Sequence, residues 1–128
     1  MFRLSQKSDY GLMLLFALKK ATSKPVSISQ VAKKNKISAK FLAQVANELK
    51  KAGIVASKEG VNGGYTLAKP AKEIKVLDVL TVLDGGLVKG ECFEDGHECN
   101  CGARDIWLSM KEQMEEVVGK KTVADLVL

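Results

Sequence analysis

The stretch from Ser27 to Tyr65 leaves few folds open to this chain, because it sets two short helices and a glycine-tipped hairpin in direct succession. Ser27-Ile28-Ser29-Gln30 has the form of a capping box, in which the Ser27 hydroxyl accepts from the third helical N–H and Gln30 reaches back to the Ser27 N–H. The helix it predicts continues through Val31 and Ala32, and Lys33-Lys34-Asn35-Lys36 ends its apolar pattern. Ile37 then leads into Ser38, a preferred N-cap for a second helix. In that helix Phe41, Leu42, Val45, Ala46, Leu49 and Ala52 fall within one sector at about 100° per residue, the spacing of a core-facing stripe. Lys40, Ala43, Gln44, Asn47 and Lys51 fall opposite, giving a face with amides, cationic edges and a small central residue that can lie against a groove floor and bond to base edges. Gly53 supplies the left-handed residue that stops the helix. Ile54-Val55-Ala56-Ser57 and Tyr65-Thr66-Leu67-Ala68 are short, partly β-branched runs around a segment, 58–64, that is rich in glycine. The expected fold class is mainly α with a small β-hairpin wing, a winged helix-turn-helix followed by a long C-terminal dimerisation helix.

Charge divides the chain just beyond that hairpin. Residues 1–72 hold 14 lysines and arginines against Asp9, Glu48 and Glu59, a balance of +11, while residues 73–128 hold 6 against 12, a balance of −6, giving +5 in all. A basic excess confined to the half with the helix-turn-helix is the electrostatic footprint of a polyanion binder, so double-stranded DNA is the expected partner. Residues 1–72 are expected to form the DNA-binding domain, and residues 73–128 a region with a cysteine loop and the dimerisation helix. With 128 residues the chain can bury one moderate core. Its most apolar run, Gly11 to Leu18, is far short of the ~20 residues of a membrane span. Ser8 and Asp9 interrupt the basic start and no small-residue cleavage site follows, so a cytoplasmic protein without membrane attachment is expected.

Ser8 or Asp9 is placed to cap a first helix through Tyr10 to Leu18, apolar nearly all round and therefore covered by its own domain or by a partner subunit. After the connector Lys69-Pro70-Ala71-Lys72, Val76, Val79, Leu80 and Leu83 fit the helical template, and Asp84-Gly85-Gly86 closes it. From Ala103 onwards Ile106, Trp107, Met110, Met114, Val117 and Val118 share one stripe of about four turns, stopped by Gly119. With the first helix, this is more apolar surface than one small winged-helix core covers. Operator-reading proteins commonly pair to match two half-sites, so the stripe is read as the contact of a homodimer. Thr122 caps a final short turn through Val123, Leu126 and Leu128.

Between those two helices Cys92, Cys99 and Cys101 share a glycine-bearing loop with His97, the chain's single histidine. An odd number of cysteines makes no disulfide framework, whereas thiolates are soft ligands suited to zinc or to iron and sulfide. The spacing lacks the Cys-x-x-Cys knuckle of structural zinc sites, yet Cys92, His97, Cys99 and Cys101 can still form a Cys₃His set. Glu91, Glu94, Asp95 and Glu98 disfavour a free nucleophilic thiolate. No Ser/His/Asp or paired-carboxylate arrangement stands out, so an enzyme is not expected.

Arg3-Leu4-Ser5, Ile37-Ser38 with Phe41-Leu42, Leu49 to Val55, Gly63-Gly64-Tyr65 with Leu67, and three cysteines ahead of Trp107 together resemble the Rrf-two family of bacterial transcription regulators over nearly the whole chain. The resemblance implies homodimeric winged-helix proteins, many holding an iron–sulfur cluster, 2Fe-2S or 4Fe-4S, whose state sets operator affinity. It implies that the second helix enters the major groove and the wing contacts the adjacent minor groove. The matching positions are Ser38, Ala39, Lys40 and Gln44, then Lys58, Asn62, Gly63 and Gly64. Glu59 stands where members often carry an arginine, which leaves the minor-groove contact to Lys58 or Asn62. The implied metal ligands are Cys92, Cys99, Cys101 and the partner subunit's Asp9, with His97 as a rival; Arg104 stands where some members place a histidine ligand. The leading expectation is a dimeric repressor or activator that senses cluster status, nitric oxide or redox state. Its alternatives are a cluster-free regulator of the same fold working through zinc or cysteine oxidation and, more distantly, a small redox carrier, which gives no role to the wing.

Overall fold

The computed structural model describes residues 5–86 and 102–127. Along the chain run α1 (Gln6–Lys20), α2 (Ile28–Asn35), α3 (Ala39–Lys51), β1 (Val55–Lys58), β2 (Gly64–Leu67), a 3₁₀ turn at Ala71–Glu73, α4 (Val76–Asp84), α5 (Arg104–Gly119) and a second 3₁₀ turn at Val123–Asp125. This is the mainly helical winged helix-turn-helix expected from the residues.

Two helix starts differ from the local reading. The cap of α1 is Ser5, not Ser8 or Asp9: Ser5 is extended, at φ −74° and ψ 146°, and its hydroxyl accepts from the Ser8 N–H at 2.9 Å. Ser8 is already helical and 3% exposed, and Asp9 donates its own N–H to the Ser5 carbonyl at 3.0 Å. At α2 Ser27 does hold the N-cap position, but its hydroxyl turns to that of Ser29 at 2.8 Å and makes no capping bond, so the expected box is not formed. The contact with Ser29 takes the place of the bond the Ser27 hydroxyl would have accepted from the helix backbone.

The start of α3 is as expected, with the Ser38 hydroxyl accepting from the Phe41 N–H at 3.2 Å. Leu42, Val45, Ala46 and Leu49 are buried without exposed surface, while Phe41 is half-buried with its ring edge-on to Tyr10 at 5.4 Å. Ala52, expected on the inner stripe, is exposed because it is the C-cap, where the chain already turns away. Gly53 at φ +77° completes that turn.

The hairpin pairs Val55 with Leu67, Ala56 with Thr66, Ser57 with Tyr65 and Lys58 with Gly64 in antiparallel register. Val26, just ahead of α2, adds a bridge to its far side: Val26 and Tyr65 exchange both backbone bonds, each at 2.9 Å. In α4 the four template residues Val76, Val79, Leu80 and Leu83 are all buried. A matching bridge between Lys75 and Thr122 ties the chain end back to the start of α4, and Val123 fills the core beside Ile74. There the Thr122 N–H donates to Asp125 at 2.8 Å and holds that carboxyl below its ordinary range, with Lys121 and Lys19 adding to the effect. One apolar cluster includes Leu14, Leu15 and Leu18 of α1, the inner face of α3, Val55 of β1, Val79 and Leu83 of α4, and Val123.

Candidate nucleic-acid interface

The outer face of α3 is built by subtraction. Its inner residues are committed to the core, so Lys40, Ala43, Gln44, Asn47 and Lys51 are left exposed on one side. Ser38 and Ala39 are exposed at the same helix's amino end. Because the Ser38 hydroxyl is occupied by the Phe41 N–H, the groups free to meet a duplex there are the remaining first-turn N–H donors and the side chains of Lys40 and Gln44.

The wing is held to one shape by two adjacent glycines. A Cβ on Gly63 would stand 2.2 Å from the Lys58 carbonyl oxygen, and one on Gly64 2.4 Å from the Val26 carbonyl oxygen. Neither obstacle is a flexible side chain, so only glycine allows the backbone to pass so close on both sides. Lys58 and Asn62 are exposed on this frame, and at its tip Val61 is 103% exposed. The Val26 bridge and the tip valine carried no local signal: Val26 stands alone after Pro25, and an apolar residue between Gly60 and Asn62 reads as ordinary turn sequence.

Lysines crowd the same region. Lys33, Lys34, Lys36, Lys40, Lys50, Lys51 and Lys58 are all exposed. The basic half has few anions to answer them, and Glu48 is engaged by Lys7 at 2.8 Å. Such a surface neutralises phosphates, while the Gln44 and Asn47 amides offer paired donor and acceptor groups to base edges.

Of the expected metal ligands, Cys92, His97, Cys99 and Cys101 lie outside the described residues. Among the described residues no cluster of three or more histidine, cysteine or carboxylate groups could hold a metal ion. Asp9 is exposed in the first turn of α1, and its carboxylate takes no hydrogen bond or ion pair from described residues. A neighbouring contact was invisible in the sequence: the hydroxyls of Ser5 and Ser8 both donate to the Asp84 carboxylate. Asp84 ends α4, and only Gly85 and Gly86 separate it from residues 87–101, which carry the cysteines. The amino end of α1, with Asp9 on it, is therefore fixed beside the point from which the cysteine segment departs. By their chemistry alone, three thiols, an imidazole and an uncommitted carboxylate are a donor set that fits iron–sulfide or zinc. No helix among the described residues is long and apolar enough to cross a membrane.

Known proteins share this fold. The Rrf2 family, described as iron-dependent transcriptional regulators, matches residues 4–128. The HTH-type transcriptional regulator CymR of Bacillus subtilis is 32% identical over 125 residues, which cover 97% of this chain and 88% of CymR. IscR of Serratia proteamaculans, also an HTH-type transcriptional regulator, is 34% identical over 132 residues, covering 98% and 79%. Among solved structures, that of CymR, the global cysteine regulator of B. subtilis, superposes with a TM-score of 0.84 at 31% identity over 98% of this chain and 95% of the other. With the family match spanning both the interface and the cysteine segment, the chain belongs to the Rrf2 family of DNA-binding transcriptional regulators.

Proposed function

We propose that this regulator binds its operator as a homodimer, and that an iron–sulfur cluster held by Cys92, Cys99, Cys101 and the partner subunit's Asp9 sets its affinity. Lys40 and Gln44 read the major groove from α3, with Ser38 and Ala39 at its entry. Lys58, Asn62, Gly63 and Gly64 bring the wing to the adjacent minor groove. Residues 1–72 thus do the binding and residues 73–128 the sensing and pairing. A cluster, when bound, supplies a redox-responsive centre.

Pairing is supported by α5. None of its residues is buried, and Ile106, Trp107, Met110 and Val117 are 63%, 44%, 45% and 62% exposed. Ile106, Met110 and Met114 line one open groove of about 570 Å³. A second copy covers such a stripe and explains its cost in water.

The observation that carries the sensing reading is the Asp9 carboxylate, exposed and uncommitted within its own subunit and so open to the cysteines of a partner. A specific likeness favours a second reading. CymR is described as a global cysteine regulator, and a similar structure is that of an oxidized form of Staphylococcus aureus CymR, which supports a sensor using cysteine oxidation, with zinc as the other cluster-free signal.

Anaerobic purification separates the two: a brown protein with iron and sulfide supports the cluster, and a colourless one overturns it. Subunit mixing then assigns Asp9. Asp9→Ala and Cys99→Ala chains should each fail to hold the cluster alone, while co-expression restores it in roughly a quarter of sites, because half of the dimers are mixed and each contains one complete set. No restoration would move Asp9 to its own chain's cysteines, and a normal spectrum in Asp9→Ala beside a lost one in His97→Ala would transfer the role to the histidine.

A further inference from the structure

The two helices of the helix-turn-helix end on the same backbone motif, with different residues at its critical position. At the end of α3 the Gly53 N–H donates to the Lys50 carbonyl and the Ile54 N–H to the Leu49 carbonyl, both at 3.0 Å. At the end of α2 the Lys36 N–H donates to the Lys33 carbonyl at 3.3 Å and the Ile37 N–H to the Ala32 carbonyl at 3.0 Å. Each pair is the double closure of a Schellman motif, and an isoleucine follows each time. The left-handed residue is Gly53 at φ +77° in one and Lys36 at φ +56°, ψ +44° in the other.

That conformation favours glycine, because a Cβ crowds the following carbonyl oxygen. The chain follows the preference in α3 and departs from it in α2. Among the described residues nothing compensates. Lys36 is exposed, so packing does not hold it, and it forms no ion pair with a described carboxylate. The chain has no acidic residue between Asp9 and Glu48. Attraction to the negative end of α2 is already supplied by Lys33 and Lys34 in the last turn.

We infer that Lys36 is a phosphate-contacting residue, positioned by its left-handed backbone in the turn two residues ahead of Ser38, the cap of α3. The inference rests on the reading of α3 as the groove-facing helix. In a helix-turn-helix the first helix crosses the sugar–phosphate backbone, and the end of α2 is where this chain keeps a cation against its backbone preference. A lysine there bonds to no base edge, so it strengthens binding to every sequence and fixes the register of α3.

The test compares full-length wild type with Lys36→Gly, Lys36→Asn and Lys36→Arg, measuring binding to a selected operator duplex and to a random duplex of equal length as salt is varied. Lys36→Gly should keep or raise the melting temperature while the slope of log K against log salt falls by about one. One phosphate contact gives a slope of about 0.9, which between about 1 M and 0.15 M salt amounts to roughly five-fold in affinity, lost on both duplexes alike. Lys36→Asn should behave like glycine and Lys36→Arg like wild type. The slope decides whichever way the melting temperature moves. An unchanged slope in folded Lys36→Gly, including one with a lowered melting temperature as a helix-end role would give, overturns the inference. Wild-type protein that binds neither duplex would instead overturn the reading of α3 itself.

Discussion

Gly64→Ala tests whether the wing is built from the Val26 bridge or merely decorated by it. A methyl group there would meet the Val26 carbonyl oxygen, carbonyl carbon and nitrogen at 2.4, 2.6 and 2.9 Å. All three are backbone atoms, so relief requires Val26 and Tyr65 to part, with loss of their two bonds of 2.9 Å. At about 1 kcal/mol net for each bond, the separation costs about 2 kcal/mol. Alanine at φ +152° adds a conformational cost of about 1–3 kcal/mol. Gly60→Ala is the control, because Gly60 also has a positive φ, +114°, but nothing lies within 4 Å of its Cβ position. The two variants share a backbone penalty and differ by the bridge, so Gly64→Ala should be the less stable by about 2 kcal/mol. For a chain of this size that is roughly 6–10 °C in melting temperature by circular dichroism. Below both transitions Gly64→Ala should also lose more operator affinity, since its wing has left the frame set by α2. Equal melting temperatures for the two alanine variants would refute the reasoning.

Gln44→Ala should change preference at particular base pairs, whereas Lys58→Ala should weaken all sequences and lower the salt slope by about one; both are read from binding curves on selected and random duplexes. Met110→Glu combined with Met114→Glu should leave the circular dichroism of the fold unchanged, because α5 buries no residue within its own chain. The same pair should abolish pairing by placing uncompensated charge in the contact, and a dimer in sedimentation would sink the assignment of α5. Asp125 has its folded pKa depressed below the ordinary 3.8, first by the Thr122 N–H, so its stabilising contribution is complete above that value and is lost as pH falls through the folded one. Melting temperatures of Asp125→Asn should therefore approach those of wild type as pH is lowered below about 4, and a constant gap would contradict the linkage.

Most of this fold is legible because its elements are amphipathic and their ends carry local chemistry. The α3 stripe and the α4 template show helical periodicity, while Gly53 and the Gly63-Gly64 pair mark backbone positions that a Cβ would strain or obstruct. Local sequence misleads where several residues of one kind compete. Ser5, Ser8 and Asp9 can all cap a helix, and tertiary contact chose among them: Asp84 draws in the hydroxyls of Ser5 and Ser8, which fixes the start of α1 at Ser5. Ser27 lost its capping bond to Ser29 for an equally local reason. The Val26 bridge joins residues 39 apart in sequence through backbone atoms alone, and no side-chain pattern marks such a pairing. Charge segregation was readable outright, because it needs only the order of the residues.

The division by charge does not coincide with a division of the core, and that bears on how a signal near the cysteines can change the grip on DNA. Helix α1 serves both sides. Gly11 has no side chain, and a Cβ there would lie 2.3 Å from Leu83 of α4 and 3.5 Å from Val45 of α3, so the three helices meet closely at that point. Toward α3, α1 adds the Lys7–Glu48 ion pair at 2.8 Å and the Tyr10–Phe41 ring contact at 5.4 Å. The ion pair is about one-third exposed on each side and adds little energy, but the ring contact is set against buried packing. Toward α4, α1 presents its positive end and two hydroxyls to the Asp84 carboxylate, a charge-assisted arrangement well suited to a helix amino terminus. Shifting the end of α4 would leave that carboxylate without two donors in a half-buried setting, a loss on the order of several kcal/mol that small displacements cannot share out. Such a contact is either made or broken, and close-packed interiors pass on discrete rearrangements of this kind better than graded ones. If the cysteine segment senses as proposed, the contact of Ser5 and Ser8 with Asp84 offers a route by which a signal there can reach α1 and, through α1, α3.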